Sequence, residues 1–158
     1  MSNYHRPKQN GASVFFTVNL ADRSSGLLVR EIETLRSAVA KTRSERPFKI
    51  DAWVVLPDHM HCVWTLPEGD ADFSTRMGAI KARFSMNVRR AGFTPQRVPI
   101  SARGLQVMAN GGGNPALRKG QVGIWQKRFW EHHIRSEADY AAHVNYCWIN
   151  PVKHGLVE

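Results

Sequence analysis

Two histidines one residue apart, His59 and His61, follow a Pro57-Asp58 turn between two apolar runs. The surrounding stretch, Trp53-Val54-Val55-Leu56-Pro57-Asp58-His59-Met60-His61-Cys62-Val63-Trp64, has the β-branched and aromatic content of a hairpin. Alternate side chains of a strand share a face, so His59 and His61 point one way and Met60 and Cys62 the other. Two imidazoles on one face can hold a divalent ion, but they make half a site. The same pattern also arises from packing or hydrogen bonding, so other segments must supply further ligands and a reason for a metal.

The last helix offers both. Ser136 with Asp139 three residues on has capping-box spacing, with Asp in place of Glu or Gln, and predicts a helix start. Asn150-Pro151 predicts its end near Ile149, because a residue before proline is pushed out of helical geometry. At about 100° per residue, Tyr140, Ala141, Val144, Cys147 and Trp148 fall on an apolar side, and Asp139, His143, Tyr146 and Asn150 on a polar one. Tyr140 is thus placed like a core residue and Tyr146 like a site residue. A solvated surface helix shows the same stripe, so the stripe gains a use only beside the histidine pair. His59, His61 and the side-chain carbonyl of Asn150 make three ligands and leave a coordination position open for a phosphate oxygen. Histidine with amide oxygen suits Mn2+ or a tolerant Mg2+ site better than a closed zinc site. A tyrosine hydroxyl nearby is a nucleophile suited to a phosphodiester, since phosphotyrosine retains the bond energy for a second transfer.

Several elements must position these groups. Residues 12–20 read as a strand, residues 27–41 carry helical spacing through Leu28, Ile32, Leu35 and Val39, and residues 49–56 and 59–66 form the hairpin. A helix starts at Asp72 to Ser74 and continues through Phe73, Met77, Ile80, Phe84 and Val88, with Arg76, Lys81, Arg83, Arg89 and Arg90 on its exposed faces. Residues 92–123 hold seven of the twelve glycines and read as a long basic loop excursion, since they cannot bury a core. Residues 124–135 return to strand-like composition, with Trp125, Phe129 and Trp130 interleaved with Lys127 and Arg128. The order is the split βαββαβ pattern of an α+β ferredoxin-like antiparallel sheet, with an added C-terminal helix carrying Tyr146. Helices cover one face of such a sheet, and the last helix is expected on the other.

At 158 residues the chain reads as one domain, 1–158, long enough for a real core. No run approaches membrane-spanning length and the N-terminal residues are polar, so a cytoplasmic location is expected. Two cysteines exclude a disulfide framework. The net charge of +9 is uneven: residues 51–75 carry −5 and residues 76–135 carry +11. A basic block of that size is either a solvated surface or the footprint of a phosphate-rich partner. The latter reading makes Arg76, Lys81, Arg83, Arg89, Arg90, Lys127 and Arg128 the candidate DNA contacts. An unrelated histidine-dependent phosphohydrolase would need a third histidine or a carboxylate pair at useful strand spacing, and none is found.

Four segments together carry a family resemblance: Phe15-Phe16-Thr17-Val18, residues 54–61, residues 125–132, and Tyr146-Cys147-Trp148-Ile149-Asn150-Pro151-Val152-Lys153-His154-Gly155. The chain resembles the single-tyrosine HUH transposases, and among them the bacterial REP-associated tyrosine transposases. The resemblance spans nearly everything outside residues 92–123, an excursion longer than the family leads one to expect. Family members usually extend past the position of Glu158 in a tail. The resemblance implies that His59 and His61 bind a divalent metal, that Asn150 is its third ligand, and that Tyr146 attacks single-stranded DNA. The expected partner is single-stranded or hairpin DNA of repetitive type, met in the nucleoid by a monomer, with a homodimer as the alternative. A DNA-binding module of the same fold without turnover is the competing reading, and the presence of all four site residues argues against it.

Overall fold

The computed structural model describes residues 10–92 and 123–156. Its elements are β1 (Ser13–Asn19), α1 (Leu27–Arg30), α2 (Ile32–Glu45), β2 (Lys49–Val55), β3 (His59–Thr65), α3 (Phe73–Arg90), β4 (Trp130–His133) and α4 (Glu137–Lys153). The four strands form one antiparallel sheet in the order β2-β3-β1-β4. This is the ferredoxin-like arrangement expected from the element order. The basic excursion at 92–123 lies outside the described residues except for its two terminal glycines.

Strand parity divides the molecule. Val14, Phe16 and Val18 of β1 and Met60, Cys62 and Trp64 of β3 turn one way, onto Leu35 and Ala38 of α2 and Met77, Ile80, Phe84 and Val88 of α3. Phe15, Ala52 and Val63 turn the other way and meet Cys147 of α4. The last helix therefore covers the second face, as expected. Both cysteines are free and buried, and burial pushes both thiols up, Cys147 to about 11.

Three boundaries differ from the sequence reading, each for a local reason. The first helical segment is interrupted at Glu31, where the Glu31 N–H closes on the Leu27 carbonyl and the Glu31 carbonyl opens the next helix by accepting from Leu35. The Leu28 N–H donates to Pro57 at the hairpin turn, which ties α1 to the histidine strand. In residues 124–135 only Trp130–His133 pairs fully with the sheet. Trp125 makes a single bridge to Leu20, because its indole N–H donates to the Lys81 carbonyl at 3.1 Å and its ring packs on Phe84, drawing it towards α3.

The third difference matters most for the site. Helix α4 does not stop before Pro151 but runs to Lys153. Proline lacks one N–H, yet the following turn still closes, with His154 N–H on the Asn150 carbonyl and Gly155 N–H on Val152. Gly155, at φ +63, supplies the left-handed exit. The extra turn carries Lys153 and His154 over the sheet.

Candidate active site between the sheet and the last helix

His59 and His61 lie on the same face of β3, both buried, with ring centroids 5.0 Å apart. Each uses Nδ1 for a protein partner. His59 Nδ1 lies 2.7 Å from Asp58 Oδ1, and Asp58 is in turn paired with Arg23, whose other arm reaches Asn19 Oδ1 at 2.7 Å. His61 Nδ1 lies 2.9 Å from the Thr17 hydroxyl, its direct cross-strand neighbour. Partners of this kind fix the ring orientation and leave Nε2 of each imidazole for an ion. Burial, reinforced by His59, His154 and Arg23, lowers His61 to a pKa of about 4. The ring is therefore neutral near pH 7, the protonation state a metal ligand needs.

Helix α4 brings Tyr146 onto this pair. Its ring is 5.1 Å from His61, edge to face, and 5.8 Å from Phe15. One turn on, Asn150 is fully buried, and neither its Oδ1 nor its Nδ2 has a hydrogen-bond partner. An orphaned buried amide is rare and unfavourable unless something absent from the fold itself completes it. That observation fits the ligand role expected of Asn150.

The polar stripe of α4 thus faces the sheet, and the rotational reading needs correcting on its other side. Val144 and Cys147 pack inward, but Trp148 is 75% exposed and Ala141 is exposed too. Tyr140 does pack against the sheet, and desolvation together with a hydrogen bond to Asp51 raises its pKa. The two tyrosines are distinguished by their neighbours, Asp51 for one and His61 for the other.

Two residues near the site escaped the sequence reading. The ring of His154 lies 5.4 Å from His59, and Lys153 Nζ lies 5.2 Å from the centre of the Tyr146 ring. Their signal was their spacing from Asn150, hidden by the premature helix end placed at Pro151. A separate group joins β4 to α4. His132 Nε2 is 2.9 Å from Asp139 Oδ2, His143 Nδ1 is 2.9 Å from the Asp139 carbonyl, and the Arg135 N–H donates to Asp139 at 2.9 Å. The ligand atoms of His132, Asp139 and His143 lie within 4.8 Å of one another, a grouping that could hold an ion. Ser136 caps the helix through the Asp139 N–H at 3.1 Å, but the Asp139 carboxylate turns to His132 and Arg135 rather than back to the cap.

The candidate DNA contacts separate sharply. Arg76 is only 3% exposed and its guanidinium is occupied by Asp70 and by the carbonyls of Arg46, Pro47 and Asp72. It is a structural clamp, and the expectation that it meets phosphate is corrected. Its helical position looked exposed because the turn that folds over it is not periodic. Arg83 bonds Thr42 and Glu45 across the α2–α3 contact, and Lys81 donates to the Gln126 carbonyl while lying over Phe129. The α3 set, including Arg89 and Arg90, belongs to the helical layer on the sheet face opposite Tyr146. Lys127 and Arg128 are exposed just before β4.

Tyr146 on α4 thus lies against the paired histidines of a split βαββαβ sheet, and comparison with known proteins gives the class, tyrosine transposases. The chain belongs to the family of REP-associated tyrosine transposases. It is 46% identical over 158 residues to the REP-associated tyrosine transposase of Escherichia coli strain K12, spanning 100% of this chain and 77% of that protein. A relative in Haemophilus influenzae given the same family name is 38% identical over 158 residues and covered to 80%. The solved structure of a REP-associated tyrosine transposase bound to a REP hairpin superposes with a TM-score of 0.75 at 45% identity, over 99% of this chain and 76% of that one. A Deinococcus radiodurans structure shares the fold at a TM-score of 0.51 and 13% identity. No family model matches. Among the described residues no helix is long and apolar enough to cross a membrane.

Proposed function

We propose that the protein is a metal-dependent endonuclease and strand transferase acting on single-stranded and hairpin DNA through Tyr146. The observation that carries this is the Tyr146 ring against His61 at 5.1 Å, with the orphaned Asn150 amide one turn along the same helix. His59, His61 and Asn150 would hold Mg2+ or Mn2+, which supplies polarisation of a phosphate oxygen when bound. The Tyr146 hydroxyl gives up its proton to solvent as its oxygen bonds to phosphorus, the bond from phosphorus to the 3′-oxygen breaks, and that oxygen takes up a proton from solvent. The 5′ end remains on the tyrosine. Attack by another 3′-hydroxyl then breaks the bond from phosphorus to the tyrosine oxygen and rejoins a strand. Asp58 and Thr17 hold the histidines in register, and the helix through Pro151 holds Tyr146 over them. The relative solved with a REP hairpin supports hairpin DNA as the substrate class.

Denaturing electrophoresis of a labelled hairpin with a single-stranded flank, incubated with Mn2+, should show a protein–DNA adduct whose peptide map ends at Tyr146. Calorimetry should show Mn2+ binding that His59→Ala removes. An adduct at another residue, or undiminished binding in that variant, overturns the site.

A further inference from the structure

Tyr146 also borders a cavity. The space is about 430 Å³ and is lined by Phe15, Thr17, Trp130, Ala142, His143 and Tyr146. Trp130 is 56% exposed, far more than Trp125, whose ring is buried in the core. An exposed indole would ordinarily be free to turn. Here it lies parallel to His132, with centroids 6.0 Å apart and planes at 7°, and His132 stacks on His143 at 4.7 Å. Phe15 meets the indole edge-on at 5.9 Å. The indole is therefore held in place by rings on two sides while much of it faces solvent, which is how a stacking platform is built.

The walls also carry hydrogen-bonding groups. His143 Nδ1 donates to Asp139, whose carbonyl lies at 2.9 Å and whose Oδ1 lies at 3.0 Å, which leaves Nε2 for the edge of a base. Thr17 brings a hydroxyl whose oxygen is already engaged by His61 Nδ1. If that nitrogen carries the proton, the Thr17 O–H is a donor.

We propose that this cavity is a nucleobase subsite, which takes the unpaired base of a nucleotide flanking the phosphate that Tyr146 attacks. It rests on the reading of Tyr146 as nucleophile. A strand whose phosphate lies at Tyr146 must place an adjacent base beside it, and an unpaired base gains from leaving water for an aromatic wall. The subsite holds the strand in register, so that one phosphate rather than its neighbours faces the tyrosine. Trp130 is the stacking residue, and His143 contacts the base edge.

The test uses the full chain carrying Tyr146→Phe, Mn2+, and hairpin DNA with a single-stranded flank. 2-Aminopurine is placed at each flank position in turn. One position next to the mapped cleavage point should be quenched, and Trp130→Ala should abolish that quenching. The same substitution should weaken binding roughly tenfold, the scale of one base–aromatic stack removed. Trp130→Phe should retain most of the affinity. Making that nucleotide abasic should weaken wild-type binding by a similar factor, and Trp130→Ala should then cause no further loss. In the chain with Tyr146 intact, Trp130→Ala should spread cleavage over neighbouring phosphates. Independent effects of the abasic site and Trp130→Ala, or quenching that survives the substitution, overturn the subsite while an adduct at Tyr146 still stands. A wild-type chain that forms no Tyr146 adduct overturns both readings.

Discussion

On the α2/α3 side of the sheet, Phe16, Met60, Trp64, Met77 and Phe84 are fully buried, interlocked and almost entirely apolar. On the α4 side the buried set is small, and among it lie two histidines, an unpaired amide and a partly buried tyrosine. One sheet thus separates a large apolar core, in which the indole nitrogens of Trp53 and Trp64 lack partners, from a smaller face that gathers two histidines, an unpaired amide and a tyrosine. Buried polar atoms without partners detract from stability on either face, and the large apolar core offsets that cost.

The largest effect should separate Tyr146 from everything around it. Removing one hydroxyl in Tyr146→Phe leaves the ring against His61 and Phe15, so the thermal midpoint should hardly move while adduct formation ceases. Tyr140→Phe, which removes the hydroxyl that Asp51 influences, should still form the adduct. Electrophoresis and thermal unfolding of both variants, side by side, check this. An adduct in Tyr146→Phe would erase the functional distinction between the two tyrosines.

The converse break is on the first face. Phe84→Ala deletes a ring packed on Trp125 and should cost about 3–5 kcal/mol in denaturant unfolding. Under conditions where the variant remains folded, its Mn2+ affinity should be unchanged, because no site residue touches that ring. A loss of metal binding in folded protein would mean that the two faces are coupled.

The two faces also differ in how much the sequence revealed. The first face was legible because period-2 and helical spacing report burial directly: Met60, Cys62, Phe84 and Val88 all lie where the pattern puts them. Of the second face, His59, His61 and Tyr146 could be read from strand parity and helix rotation, and the structure brings them together. His154 could not, because a proline is ordinarily a stop signal, and here the last helical turn closes around it. Arg76 was misread for a related reason. Periodicity places it outside the helix, but the 67–72 turn, through Asp70 and the Asp72 carbonyl, wraps its guanidinium from outside the pattern. Trp148 shows the opposite failure, a large apolar residue on a predicted inner side that the helix presents to solvent.

A smaller effect tests whether the unpaired amide is the stability defect of the second face. Asn150→Leu replaces two unsatisfied buried polar atoms with a side chain of related size. In the absence of metal, stability should rise by about 1 kcal/mol. Added Mn2+ should then raise the thermal midpoint of the wild type but not that of the variant, since binding to the folded state alone stabilises it. A variant that is less stable without metal would show that Asn150 is satisfied in the fold by something other than an ion.

The finest distinction concerns charge. Lys127 and Arg128 are exposed immediately before β4, in the segment that leads to Trp130, whereas Arg83 is tied to Thr42 and Glu45 in the opposite layer. If DNA approaches the α4 face, the first pair, and not Arg83, neutralises phosphates on the strand that reaches Tyr146. The logarithm of affinity for a single strand should then fall with the logarithm of salt, and Lys127→Gln with Arg128→Gln should flatten that slope by about 0.7 for each phosphate left without its cation. The weakening should be similar across unrelated sequences, because pairing with phosphate carries no sequence information. Arg83→Gln should leave the slope unchanged and instead lower the unfolding midpoint slightly, by removing the α2–α3 link. Fluorescence anisotropy over a salt series, with the same single strand and all three proteins, measures the slopes. A flatter slope for Arg83→Gln, with none for the other pair, would place the DNA path on the helical layer and away from the tyrosine.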